Sequence, residues 1–320
     1  MTNKTIAILG GAGFLGSAIA TKLDAAGYQV KIITRRRDNA KHLFLLPNVQ
    51  VIECDIHDSQ ALKAVLNGFE MAINCVGILH EGKHSFESVH HQLPRKLAQV
   101  CDALSIKRLI HISALQAHKN APSQYLRSKA AGEAALEEFS KKLNITVFQP
   151  SVLFGRGDSF LNMFASLINY LPIIALAKPE AKFQPIWVED VAQAVLNSLE
   201  NSTTHHKTYA LGGPQIYTLR QLVQMVMAQL GKTRPIIGLN DGLSMAQAFM
   251  LELLPVKLMT RDNIKSMQVD NVLSQPMAAE LNLTPSPLEA IMPDYLGSQT
   301  PRDAYEEFRA AAGRAINARR

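Results

Sequence analysis

Four glycines in seven residues, in the run Gly10-Gly11-Ala12-Gly13-Phe14-Leu15-Gly16, restrict this chain more than any other feature. The residues before them, Lys4-Thr5-Ile6-Ala7-Ile8-Leu9, read as a buried strand, and Ser17-Ala18-Ile19-Ala20-Thr21-Lys22-Leu23 reads as the start of a helix. Glycine permits a tight turn and a close approach of backbone to a pyrophosphate. The helix N-terminus then directs free N–H groups and the positive end of its dipole at the same point. Both G-x-G-x-x-G (Gly11, Gly13, Gly16) and G-x-x-G-x-x-G (Gly10, Gly13, Gly16) fit. Between a strand and a helix, such a run predicts a dinucleotide cradle. The competing reading is a secretory leader, from Lys4, the apolar run and Ala18-Ile19-Ala20, but glycines this dense make a poor apolar helix.

At 320 residues the chain has room for about two domains, and at 47% hydrophobic it can fill their cores. Eleven methionines and a leucine-rich second half predict apolar surface that meets a greasy partner or substrate. No apolar run reaches the roughly eighteen residues that a membrane-spanning helix needs. Cys54, Cys75 and Cys101 are odd in number and lack a C-x-x-C spacing, which predicts reduced, buried thiols and a cytoplasmic setting, with the inner face of the membrane as the alternative. The net charge of +6 gathers at Arg35-Arg36-Arg37 and in the tail, at Arg309, Arg314, Arg319 and Arg320. No zinc-finger spacing or aromatic RNA-binding motif accompanies it, so nucleic acid is not an expected partner.

A second strand is expected at Gln29–Thr34, ending about twenty residues beyond the glycines, where an NAD-binding chain carries an acid for the ribose 2′-hydroxyl. Here the positions hold Thr34-Arg35-Arg36-Arg37. Guanidinium groups pair with a phosphate that a carboxylate would repel, so NADP(H) is expected over NAD(H), with a solvated basic loop as the bland alternative. Further strands are expected at Val49–Glu53, Met71–Cys75, Leu109–Ser113 and Ile145–Phe148. Helices are expected at Ser59 (as N-cap) to Leu66, at Phe86–Leu104 and at Ser123–Lys142. Apolar strands alternating with helices predict an α/β chain: a Rossmann-type, doubly wound parallel sheet with ligands at the strands' carboxyl ends. Asp55, Gly77, Ser113 and Pro150 fall at those ends. The expected organisation is a nucleotide-binding domain over 1–155, with 183–213 returning to it. A smaller, mostly helical substrate or partner region covers 156–182 and 214–300, and a basic tail helix 301–320. The apolar stretch Leu243–Met259 is expected to pack into the second region's core, with a membrane or polyprenyl-type contact as the alternative.

Tyr125 and Lys129, at i and i+4, share one helix face. An ammonium near a phenol lowers its pKa, and such a tyrosine can exchange a proton with a substrate oxygen. Ser113, twelve residues earlier at a strand end, can hydrogen-bond the same oxygen. His80, His84, His90 and His91, with Glu81 and Glu87, follow no recognised metal spacing and read as a polar lid, so no metal site is expected. His111 reads as a satisfied core histidine.

With these residues the chain resembles the extended or atypical short-chain dehydrogenase/reductases, through Gly10–Gly16, Asp55-Ile56, Asn74-Cys75-Val76-Gly77, Ser113, Tyr125/Lys129 and Pro150–Gly155. More narrowly, it resembles the nucleotide-binding accessory subunits of respiratory complex I and their bacterial relatives, through His111–Leu115, Tyr125–Glu133, Phe183-Gln184-Pro185, Val188–Ala192 and Met259–Asp262. The resemblance implies that Gly10, Gly13 and Gly16 face the pyrophosphate, with Phe14 and Leu15 adding backbone N–H groups. It implies Arg35 at the 2′-phosphate, Asp55 and Ile56 beside the adenine, Val76 and Gly77 beside its ribose, Lys129 at the nicotinamide ribose, and Pro150 and Val152 near the nicotinamide. Ser113 and Tyr125 would handle the proton, on a carbonyl, alcohol, apolar or quinone-like substrate. Against this enzyme reading stands a silent NADPH-binding module associated with a respiratory or quinone-linked complex or a membrane surface. The serine–tyrosine spacing is about half that of typical extended members, which leaves the substrate side open.

Overall fold

The computed structural model describes residues 4–253 and 258–296. The expected tail helix and Pro255 lie outside the described residues. The chain alternates β1 (Thr5–Leu9), α1 (Phe14–Ala25), β2 (Gln29–Thr34), β3 (Val49–Glu53), α2 (Ser59–Leu66), β4 (Met71–Asn74), α3 (Leu93–Ala103), β5 (Arg108–Ile112), α4 (Gln124–Glu137) and β6 (Asn144–Pro150). The short strands β7 (Leu153–Phe154), β8 (Ile174–Ala177), β9 (Lys182–Phe183) and β10 (Ile186–Trp187) follow, with α5 (Leu161–Tyr170) between β7 and β8. Then come α6 (Val188–Ser198), β11 (Lys207–Leu211), β12 (Tyr217–Thr218), α7 (Leu219–Gln229), β13 (Ile236–Leu239), α8 (Asp241–Glu252) and α9 (Arg261–Ser266).

Seven strands form one parallel sheet in the order β3-β2-β1-β4-β5-β6-β11. Side chains alternate across it with the period of two that strands impose. Ile6 and Ile8 enter the core shared with α1 and α6, while Ala7 and Leu9 enter the core shared with α2, α3 and α4. Both faces are covered, which is why these strands read as unbroken apolar runs. The order reverses between β1 and β4, so the glycine turn opens on a cleft at the carboxyl ends. A third core, with Phe154, Phe164, Ile168, Leu222 and Val226, gathers the later helices.

Local differences from the sequence expectation have local causes. Asp58, not Ser59, caps α2, accepting from the N–H groups of Gln60 and Ala61. The expected helix from Phe86 opens with a π-helical turn, Glu87–Gln92, before α3. Pro94 has no N–H for the His90 carbonyl, which turns instead onto Gly132 of α4, where a β-carbon would lie 2.0 Å away. The apolar stretch of α8 is not a core element: only Ser244 and Ala248 are buried, and Leu243, Phe249, Met250 and Leu253 are exposed. Its contact with β8 and α9 is a small cluster of Ala248 and half-buried Met245 with Ala177 and Ile264.

At the opposite end of the sheet Arg108 is 4% exposed. Its guanidinium donates to the carbonyls of Asn144, Ser198 and Leu199 and to the hydroxyls of Thr146 and Thr204, over 2.7–3.2 Å. Two of those carbonyls close α6, where the helix dipole favours a cation. Among the described residues no carboxylate pairs with it. Replacing Arg108 with Met leaves several acceptors stranded and is expected to cost roughly 3 kcal/mol or more. Arg108→Lys should recover only part, since an ammonium lacks the planar fork. Urea unfolding midpoints check both; an unchanged midpoint for the Met variant would contradict the clamp.

Candidate functional site

Gly10 bends the chain out of β1 with φ at +75°, and Gly13 N–H donates to its carbonyl at 3.0 Å. Gly13 is also the N-cap of α1, with extended backbone, no capping side chain and no acid in the first turn. The first turn, at Phe14 and Leu15, is therefore aimed at the cleft without a competing carboxylate, as an anion seat requires. Gly16 has no room for a side chain: a β-carbon there would stand 2.3 Å from the Gly10 carbonyl oxygen. Gly10 itself abuts Cys75 and Val76 at the end of β4, and Val76 N–H is held by the Asn74 side chain at 3.1 Å. The glycine turn, Val76 and the exposed Gly77 thus share one wall, and a dinucleotide fits the cradle that the missing side chains leave.

Beside this wall, Arg35 is exposed at the end of β2, with its guanidinium 2.5 Å from the His84 Nε2. His84 stacks on His57, with ring centroids 4.9 Å apart. Asp55 accepts from His57 N–H at 3.0 Å, whereas the Ile56 side chain is buried in the core. At the far side, Pro150 ends β6. The next residue, Ser151, donates to Asn271 Oδ1 at 2.6 Å, and Val152 N–H reaches the same oxygen at 2.9 Å.

Lys129 is 4% exposed and donates to the Ile112 carbonyl at 3.1 Å, while a β-carbon on Gly77 would lie 3.2 Å from its ammonium. Burial pulls the amine down to about 8, opposed by Glu133 and Cys75. Tyr125 packs edge-on against Phe86 and His90. Burial pushes its phenol up to about 12. The lowering expected from Lys129 is absent from this arrangement, because the ammonium is turned to Ile112. The Ser113 hydroxyl donates to Glu133, which also accepts from Gln149 at 2.8 and 2.9 Å. Burial holds the Glu133 carboxyl above its ordinary range. No hydrogen bond joins Ser113 to Tyr125, and among the described residues none is made by the Tyr125 hydroxyl.

Sequence reasoning named His90 as part of a polar lid and His111 as a core residue, and the structure gives both other surroundings. His90, buried, accepts from Ile78 N–H at 3.0 Å and donates through Nδ1 to Ser128 at 2.8 Å. Burial first and Lys129 second drive it down to about 2, so it is neutral. His111 meets Asn74 at 3.1 Å through Nδ1, but its Nε2 has no partner, so it is not the satisfied core histidine expected. The lid histidines diverge, and no group of three or more His, Cys, Asp or Glu among the described residues could hold a metal. Asp262, from the start of α9, accepts from the N–H groups of Gln124 and Tyr125 at 2.7 and 2.9 Å, holding the N-terminus of α4. Glu133 was visible as the next i+4 step beyond Lys129; nothing local in the sequence marks Asn271 or separates buried His90 from its lid neighbours.

Comparison with known proteins gives a consistent pattern. The profile of the NAD dependent epimerase/dehydratase family matches residues 6–212. The protein named NADH dehydrogenase [ubiquinone] 1 alpha subcomplex subunit 9, mitochondrial, is 30% identical over 310 residues in Arabidopsis thaliana, spanning 90% of this chain and 76% of that one. Its Rattus norvegicus counterpart is 30% identical over 302 residues, spanning 88% and 77%. Among solved structures, a UDP-glucose 4-epimerase from Thermotoga maritima with UDP-glucose superposes with a TM-score of 0.72 at 18% identity, covering 96% of this chain and 99% of that one. A dTDP-glucose 4,6-dehydratase from Streptomyces venezuelae with NAD bound gives 0.71 at 17%, covering 96% and 98%. At these identities the structures speak for the fold alone.

The buried amine supplies a pH test. A lysine that sits at about 8 in the folded chain, against an ordinary 10.5, binds fewer protons folded than unfolded between those values. Stability should therefore climb as pH rises from about 8 toward 10.5. Lys129→Met should lack that increment, measured as the difference between the two proteins' urea midpoints across the window. Parallel profiles would show that the amine is not desolvated.

Proposed function

The chain belongs to the NAD dependent epimerase/dehydratase family, and we propose that it is an NADP(H)-binding protein of the short-chain dehydrogenase/reductase type that retains its nucleotide as a standing part of a larger, respiratory or quinone-linked protein assembly. The observation that carries this reading is the contrast between the two ends of the cleft. The nucleotide end is complete: the glycine cradle, the uncapped start of α1, and Arg35 where an acid would select NAD. The reacting end is not. Ser113 has one O–H to give, and it goes to Glu133. Tyr125 remains a protonated phenol well above neutrality, with no ammonium drawn to it. The Arabidopsis thaliana and Rattus norvegicus relatives are named as subunits of NADH dehydrogenase [ubiquinone], which supports assembly with other proteins. Among the described residues no helix is long and apolar enough to cross a membrane, so contact with a quinone-linked complex would be peripheral.

A second reading is an NADP-dependent oxidoreductase acting on a carbonyl or alcohol. It is favoured by the unengaged Tyr125 hydroxyl and by Lys129 one turn along the same helix. In that case bound nucleotide supplies or accepts hydride, Lys129 orients its ribose, and Tyr125 moves the proton at the substrate oxygen.

Protein purified without denaturant should carry NADP(H), identified after extraction by its near-ultraviolet absorbance and by mass. It should fail to oxidise NADPH across a panel of carbonyls and quinones, and Tyr125→Phe should change neither result. Turnover that Tyr125→Phe abolishes would overturn the retention reading in favour of the enzyme. A chain that releases all nucleotide on dilution would contradict it as well.

A further inference from the structure

The segment between β4 and the π-helical turn, residues 77–86, leaves the sheet at β4 but does not stay there. In the strand order β3-β2-β1-β4, the end of β2 lies two strands away, roughly 10 Å at ordinary sheet spacing. His84 crosses that distance. Its Nε2 stands 2.5 Å from the Arg35 guanidinium beyond β2, and its ring stacks on His57 beyond β3 at 4.9 Å and 13°. The segment therefore passes in front of the glycine turn and the adenosine half of the cleft. Both ends of the segment rest on buried His90, which accepts from Ile78 N–H at 3.0 Å and stacks on the Phe86 ring at 5.3 Å, and within the segment Phe86 N–H donates to Glu81 at 2.7 Å.

The contact is chemically unusual. A guanidinium only donates, so His84 must offer Nε2 as a lone pair. No carboxylate bridges Arg35 among the described residues. The nearby acid, Asp55, is engaged by the His57 N–H, and Lys96 adds a further cation by donating to the His57 carbonyl. Three nitrogen-rich side chains from the ends of three elements thus meet, and the Asp55 carboxylate beside His57 is hydrogen-bonded to none of the three side chains. A phosphomonoester dianion supplies what this arrangement lacks, because it can accept from the guanidinium and from both rings.

We propose that His84 and His57 complete, with Arg35, a three-sided seat for the phosphomonoester on the adenosine of the nucleotide, and that His84 is the latch by which residues 77–86 close over that half of the cleft. The inference rests on the NADP(H) reading above and deepens it. Without the phosphate the latch engages Arg35 directly; with it, the phosphate sits between them. Selectivity for NADP(H) then exceeds what one arginine supplies, and closure of the segment is coupled to the phosphate.

The test is a set of dissociation constants for NADPH and NADH, by fluorescence titration of the full chain, for wild type, Arg35→Ala, His84→Ala, His57→Ala and the Arg35/His84 double variant. 2′,5′-ADP and 5′-ADP serve as competing probes without a nicotinamide. His84→Ala is expected to weaken NADPH and 2′,5′-ADP about tenfold, about 1.4 kcal/mol, and to leave NADH and 5′-ADP within about twofold. The double variant should fall short of the product of the singles, since the two groups share one ligand. In hydrogen exchange, NADPH should protect residues 77–86 in wild type and not in His84→Ala. If Arg35→Ala discriminates between the nucleotides but the histidine variants do not, the three-sided seat is wrong and the NADP(H) reading stands. If Arg35→Ala weakens NADPH and NADH alike, the phosphate assignment itself falls, and the seat with it.

Discussion

A missing side chain sets the geometry of the whole nucleotide end. Gly16 rides on the Gly10 carbonyl at a distance that excludes any β-carbon, and Gly10 in turn presses on the backbone of Cys75 and Val76. Three elements meet at this contact: the end of β1, the first turn of α1 and the end of β4. The helix can aim its N-terminus at the cleft only because the turn beneath it is this thin, and β4 can deliver Gly77 to the same wall for the same reason. The parallel sheet supplies the cleft at its switch point; the glycine contact decides what the cleft can receive.

A second layer of constraint lies below, in polar groups kept from water. Lys129, His90, His111 and Asn74 share the space under α4, and burial leaves both imidazoles neutral. A lone ammonium there is tolerable because the Ile112 carbonyl and the neighbouring Glu133 offset its desolvation. The same Glu133 accepts the hydrogen bond of the Ser113 hydroxyl. The group that helps to keep Lys129 charged is thus also the group that withholds Ser113 from a substrate, and the two halves of the expected catalytic set are linked through one carboxylate.

Much of this was legible in the amino-acid order. Glycines and alternating apolar runs report on neighbours close in sequence, and the six early strands stand within a residue or two of where the pattern puts them. The Asp58 cap and the π-helical turn were missed because each is decided by a single neighbour, the next-door acid and Pro94. The exposed face of α8 was misread because periodicity reports an apolar stripe without saying whether anything covers it. The partners of the site were the least legible. Glu133 against Ser113, His84 against Arg35 and Asn271 against Ser151 join residues 20, 49 and 120 positions apart, and only the folded sheet brings them together.

Asp262 carries a consequence for the order in which the chain becomes native. Its carboxylate holds the first N–H groups of the helix bearing Tyr125 from 137 and 138 positions downstream. The strands up to β6 are all made before α9, but the two N–H groups that Asp262 holds at the start of α4 gain this partner only once α9 exists and docks. A chain interrupted before α9 would keep the Ser123 cap on the Leu126 N–H and lack the carboxylate that holds Gln124 and Tyr125. The wall of the cleft that carries Tyr125 is thus completed by a segment made late, after the strands and the glycine turn.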